Sequence, residues 1–220
     1  MVYNIKFSNG DRNSIIEYIK EKKKNGPFTV VDVGGTMGGW STEYVDAIID
    51  FNGNDSNTNI KFFKCDITNY DDWEPIKQYI SLNGKFDFCI CTHTLEDIMN
   101  PVFVSRQMEL ISKEGYIAFP SKYKEFVKFE RGLAYRGYIH HRWIFDVDKK
   151  NTSNIIAYPK INYIENEQKF DVLAQKSIYS KDYDDLSFYW KDSISIQYLN
   201  NNYLGPSVSA VIQYYDKLLD

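Results

Sequence analysis

Val30-Val-Asp-Val-Gly-Gly-Thr-Met-Gly-Gly-Trp-Ser41 is the stretch whose reading decides the fold. The β-branched run from Phe28 to Val33 is short and apolar, as a strand buried on both faces is. It ends in an acid, Asp32, two residues before a glycine-rich turn spanning Gly34 to Gly39. Glycines without Cβ atoms let a backbone approach a ligand closely. In open α/β sheets, ligands bind at the carboxyl ends of strands, near the point where strand order reverses. The turn is not GxGxxG, and no GK[ST] follows it, so it is not read as a phosphate loop.

Outward from this turn, strands and helical segments alternate. Asp11 or Asn13 caps a helix running to about Lys24, with Ile15, Ile16 and Ile19 as its apolar stripe, and Asn25-Gly26-Pro27 stops it. Val45–Asp50 reads as a second strand, after only a short helical turn. Asn52–Asn59 is a polar loop, Ile60–Cys65 a third strand, and Trp73–Ile80 a helix. Phe86–Cys91 is a fourth strand, Pro101–Ser112 a helix stopped by Gly115, and Tyr116–Phe119 a fifth strand. That alternation predicts a parallel sheet. Further strands are expected at Trp143–Phe145, Ile161–Ile164, Phe188–Trp190 and Ile194–Tyr198, with a closing helix over Ser207–Leu219. The fold class is α/β: a doubly wound, mostly parallel seven-stranded sheet with an insertion after strand five. One domain spans 1–220. It divides into an N-terminal helix over 1–27, a ligand-binding half over 28–120, and an acceptor-binding insertion with terminal strands and helix over 121–220.

Composition sets outer bounds. A chain of 220 residues that is 43% hydrophobic can bury one core. The formal net charge of -4 and a pI near 5.5 argue against a basic nucleic-acid platform. No apolar run approaches the ~18 residues of a spanning helix. Three cysteines, Cys65, Cys89 and Cys91, read as buried free thiols of a reducing, cytoplasmic compartment. No CxxC pair suggests zinc, and no metal site is assigned.

Two more acids follow Asp32 at strand ends. Asp50 ends the second strand, where an acid can accept hydrogen bonds from both ribose hydroxyls of a nucleoside. Asp46 and Asp55 are alternatives for that role. Asp66 ends the third strand, before Ile67, and could face an adenine amine.

The run from about 28 to 120 resembles the class I S-adenosylmethionine-dependent methyltransferase family. The family's strand with D/E-x-G-x-x-x-G is matched by Asp32, Gly34 and Gly38. GGTMGGWS is similar to the turn of the FtsJ-type branch, which methylates RNA ribose. Phe86-Asp-Phe-Cys-Ile-Cys-Thr-His-Thr-Leu-Glu-Asp-Ile-Met-Asn-Pro101 resembles the family's fourth-strand segment through His93, Leu95, Glu96, Asn100 and Pro101, with Asp97 in place of a second His. The resemblance implies S-adenosylmethionine as methyl donor. It implies cofactor contacts from Asp32, Gly34, Gly35, Thr36, Gly38, Trp40, Asp50, Asp66, Ile67, Thr92 and His93.

The acceptor side is read from residues 121–142, a basic and aromatic segment without a clean period. Lys122, Tyr123, Arg136 and Arg142 are expected to bind a small-molecule or glycan acceptor, phosphorylated or nucleotide-linked. A hydroxyl acceptor needs a base, and the three histidines of the chain are His93, His140 and His141. His141 ranks first. Its neighbour Arg142 would lower its pKa, and only one of His140 and His141 would face the site, because adjacent residues of an extended segment point oppositely. The leading expectation is an O-methyltransferase acting on a sugar, glycan or other small hydroxylated molecule. The alternatives are an RNA ribose methyltransferase, for which Asp87 and Lys122 supply part of a Lys-Asp-Lys-Glu set, and a non-catalytic module that binds a cofactor or nucleotide. A metal-assisted variant would draw on His93, Asp97, His140 and His141, whose spacing alone carries no signal.

Overall fold

A computed structural model describes residues 1–53, 59–172, 181–199, 208–216 and 218. The stretch quoted above is a strand followed by turns. β2 (Val30–Val33) is buried along its length, and no helix joins it to β3 (Ala47–Asp50). β4 (Lys61–Lys64), β5 (Phe86–Thr92) and β6 (Ser112–Pro120) follow. Two more strands complete the main sheet: β1 (Val2–Ser8) and β11 (Asp185–Lys191). The spatial order is β4-β3-β2-β5-β6-β11-β1. β2 to β6 are parallel, and β11 runs antiparallel to both of its neighbours, β6 and β1.

β1 corrects the expectation that 1–27 contributes only a helix. Its residues alternate between apolar and polar, Val2-Tyr-Asn-Ile-Lys-Phe7, as in a strand at a half-covered edge. α1 (Arg12–Asn25) then follows.

Helices cover both faces. Ile15 and Ile19 of α1 pack with Val30, Ile48, Phe88 and Ile90 on one face. On the other, α2 (Glu74–Asn83) and α3 (Pro101–Ile111) bury Ile76, Val104 and Met108 against Val31, Ile49 and Cys89. Asn100 caps α3 through its side chain, which accepts from the Phe103 amide.

Chain between β6 and β11 forms the insertion. It holds α4 (Lys122–Glu125), a small hairpin of β7 (Lys128–Glu130) and β8 (Tyr135–Arg136), β9 (Trp143–Val147) and β10 (Ile155–Pro159). β10 pairs with β9 on one side and with β12 (Ile196–Tyr198) on the other, in a separate three-stranded sheet. The expected strands at 143–145 and 194–198 therefore belong to this second sheet. Asn162–Ile164, expected as strand, is a 3₁₀ turn. α5 (Val208–Asp216) lies within the expected closing helix, whose ends Ser207 and Leu219 fall outside the described residues.

Candidate functional site at the strand carboxyl ends

Strand order reverses between β2 and β5: β3 and β4 lie on one side, β6 on the other. A cavity of about 240 Å³ opens at that point, lined by Gly34, Asp50, Asp66, Ile67, His93 and Asp97 among others. Gly34 has φ +79°, and a Cβ there would meet Thr94 Oγ1 at 2.3 Å, so only glycine brings the two strand ends this close. A Cβ at Gly35 would meet the Asp32 carboxyl carbon at 2.4 Å.

Asp32 is buried and accepts a hydrogen bond from Ser41 Oγ. Burial pushes its carboxyl up to about 6 against the Ser41 bond. It is a fixture of the turn. Asp50 accepts from the Asn52 amide at 2.7 Å, and partial burial raises its pKa. Asp66 Oδ1 accepts from the Thr68 amide and hydroxyl at 2.9 and 2.7 Å. Trp40 turns toward α1, where the Arg12 guanidinium stands 5.6 Å from its ring, and Thr36 is exposed, its carbonyl closing the turn onto Gly39. Gly38 supplies the second left-handed φ of the turn, +82°. Of the alternatives to Asp50, Asp46 accepts from the Val30 amide and from Lys23, at the opposite, amino end of β2. Asp55 lies outside the described residues.

His93 follows Thr92, the last residue of β5, and adopts φ +51°. It borders the 240 Å³ cavity and a second one of about 540 Å³, which Gly10, Arg12, Lys124, Tyr138 and Asp185 also line. Its Nδ1 stands 3.5 Å from Glu96 Oε1 and its Nε2 3.6 Å from Asp185 Oδ1. Burial alone would lower its pKa, but the Asp185 and Glu96 carboxylates outweigh it and push the imidazole up to about 10. The two carboxylates thus favour the cationic form of His93 over the neutral form a general base requires.

The other histidines also depart from expectation. Residues 138–141 form a turn, closed by the His141 amide on the Tyr138 carbonyl, so both rings lie side by side, 4.6 Å apart. The Nε2 atoms of His140 and His141 stand 3.7 and 3.6 Å from Asp97 Oδ1. His141 is buried, with Nδ1 2.5 Å from Glu125 Oε1. Burial would lower its pKa, yet the Glu125 carboxylate raises it, reversing the direction expected from Arg142. Arg142 is committed locally: its amide donates to the Glu96 carbonyl at 2.7 Å and its Nε to the Asp97 carbonyl at 3.0 Å. These bonds pin the loop after β5 against the loop before β9.

Three expected acceptor residues are corrected. Lys122 is buried, its Nζ 2.7 Å from Asp146 Oδ2. Tyr123 packs among Phe7 and Tyr183. Arg136 is wholly buried, donating to the carbonyls of Phe126, Ile164 and Glu167 and pairing with Asp171 at 2.7 Å. The RNA ribose reading loses its pair as well, because Asp87 bonds Thr29 and Lys113 at the amino end of the sheet, away from Lys122. Glu125, Lys160 and Asp185 enter the site without any sequence signal, since their contacts are long-range.

No protein-family model matches the chain, and no curated protein is a significant match in sequence. Among solved structures, it is similar to the plantazolicin methyltransferase BpumL in complex with SAH, at 12% identity and TM-score 0.42, with 82% of each chain covered. It is similar to the N-terminal domain of EvdMO1 with SAH bound, at 10% identity and TM-score 0.39, covering 83% of this chain and 84% of that one. A third is an S-adenosylmethionine-dependent methyltransferase from Mesorhizobium loti, at 14% identity and TM-score 0.34, covering 86% and 73%. Each of the three is named a methyltransferase or holds SAH. With identities this low and TM-scores below 0.5, the functional reading rests on the site itself. No helix among the described residues is long and apolar enough to cross a membrane.

Proposed function

We propose that the chain is an S-adenosylmethionine-dependent methyltransferase acting on a hydroxyl of a small acceptor, a sugar or glycan. One observation carries the reading: a cavity at the switch point of a parallel sheet, with partly buried carboxylates at two successive strand ends and a glycine turn as its floor. The donor set fits a nucleoside. Asp50 offers acceptors to two ribose hydroxyls, Asp66 an acceptor to an exocyclic amine, and Ile67 an apolar surface to a base. At 240 Å³ the cavity suits the nucleoside part, and the way on leads past His93 to the 540 Å³ space that would take the acceptor.

When bound, S-adenosylmethionine supplies an electrophilic methyl group on a sulfonium. The chain's own work is chiefly alignment. Cationic His93, with Glu96 and Asp185 carboxylate oxygens 3.5 and 3.6 Å from its ring nitrogens, stands at the junction of the two cavities. The proton of the acceptor hydroxyl goes to the cluster of Asp97, His140 and His141, beside Tyr138 at the rim of the larger cavity.

Calorimetry tests the reading. Both S-adenosylmethionine and its demethylated product should bind wild type, and Asp50→Ala should cost about 1.5–3 kcal/mol of that affinity, roughly 10- to 150-fold. Absence of binding of either compound to folded wild type overturns the cofactor assignment.

A further inference from the structure

Three side-chain atoms able to ligate a metal converge between the loop after β5 and the turn before β9. Asp97 Oδ1 is shielded from solvent, and among the described residues no donor satisfies it. Facing it at 3.6 and 3.7 Å are two imidazole nitrogens, beyond hydrogen-bonding range. The three atoms all lie within 4.8 Å of one another. A cation at the shared point would satisfy all three atoms at once.

The surroundings fix that geometry. Glu125 Oε1 occupies Nδ1 of His141, which leaves Nε2 as the nitrogen turned toward Asp97. Lys160 holds the other Glu125 oxygen at 2.8 Å and the Tyr138 carbonyl at 2.7 Å. Gly137 makes the arrangement possible: at φ +56° a Cβ would meet Glu125 Oε2 at 2.3 Å and Lys160 Nζ at 2.8 Å. A carboxylate behind an imidazole is the usual outer support of a metal-bound histidine, orienting the ring and raising its basicity. The Arg142 bonds to the Glu96 and Asp97 carbonyls bring the third ligand into place.

We propose that Asp97 Oδ1, His140 Nε2 and His141 Nε2 bind a divalent transition-metal cation of the zinc class. Tetrahedral zinc, with bonds near 2.0–2.1 Å, sets its ligand atoms about 3.4 Å apart. The two edges from Asp97 Oδ1, at 3.6 and 3.7 Å, already lie close to that spacing. Two imidazoles and one carboxylate favour zinc, iron or cobalt over magnesium or calcium, which prefer oxygen ligands. Three protein ligands leave a position open for water or an acceptor oxygen, and Asp97 and Tyr138 put it between the two cavities. These are the residues to which the methyl-transfer reading sends the acceptor proton, but metal binding, read directly, does not depend on that reading.

The test uses the untagged full chain, stripped with a chelator and dialysed. Zn²⁺ is titrated against a chromophoric competitor, and Co²⁺ is followed by its visible absorption. One equivalent should bind wild type, with the intense absorption of tetrahedral cobalt. His140→Ala and Asp97→Asn change partly exposed side chains, and circular dichroism should find both variants folded. Each should lose about 100-fold or more in affinity. Glu125→Gln, which keeps shape, should lose about 10- to 100-fold. No stoichiometric binding by wild type overturns the proposal. So does binding that survives both His140→Ala and Asp97→Asn, which would belong elsewhere on the chain.

Discussion

Charged residues behave in opposite ways in the two halves of this molecule. At the carboxyl ends of β3 and β4, Asp50 and Asp66 make only local bonds to backbone and a hydroxyl, and both line an open cavity. In the insertion, Lys122, Arg136 and Lys160 are buried and committed to Asp146, to three carbonyls with Asp171, and to Glu125. By sequence the insertion is the more inviting binding surface, basic and aromatic. By structure its cations hold the insertion together. A charge signals a ligand when its partners are missing, and a scaffold when they are present.

Substitutions can break that contrast. Arg136→Met leaves three carbonyls and an aspartate without their donor, and should destabilise the fold by about 4–5 kcal/mol in urea unfolding. Arg136→Lys should recover little, because one ammonium cannot reproduce the planar fork. If Arg136→Met keeps its stability and loses acceptor turnover instead, the insertion is a binding face after all.

Lys122→Met should cost about 3 kcal/mol, since it strands a buried carboxylate. Adding Asp146→Leu should return most of that loss, as apolar pairs of similar size replace buried ion pairs at little cost. A double variant no more stable than the single one would show that Lys122 matters through something other than Asp146.

The smallest effect sharpens the other side. The His93 pKa is raised from 6.5 to about 10 in the folded chain. A raised imidazole pKa contributes stability that is fully present below pH 6.5 and is lost as pH climbs toward 10. The stability advantage of wild type over His93→Gln should therefore shrink between those limits in urea titrations. An advantage independent of pH would mean that His93 is neutral, and would restore it as a base.

The parallel core was legible because strands buried on both faces announce themselves through nearly continuous apolar runs such as Phe86–Cys91, broken only by Asp87. The glycine turn was legible because Gly34 and Gly35 stand where Cβ atoms would strike Thr94 and Asp32. β1 was hidden by its alternation: Asn4 and Lys6 break the apolar run that marks the inner strands. The histidine cluster was hidden more deeply. Its members come from the loop after β5 and the turn before β9, and bonds from Arg142 and Trp143 to the carbonyls of residues 96–98 bring them together. Residues 121–142 misled because lysine and arginine in sequence look alike whether solvated or buried with a partner. The local pattern cannot encode a partner such as Asp146 or Asp171.

Residues 2 and 190 face one another across β1 and β11, as do 8 and 185. At the usual ribosomal pace of roughly 5–20 residues per second, about 10–40 seconds separate the synthesis of the two partners. Through that wait β1 has no strand to bond to, and the closure entropy of the whole intervening span must be met before the pair forms. Asn9 and Gly10, which follow β1, line the larger cavity. That wall of the cavity therefore waits for β11 before β1 can hold it in place.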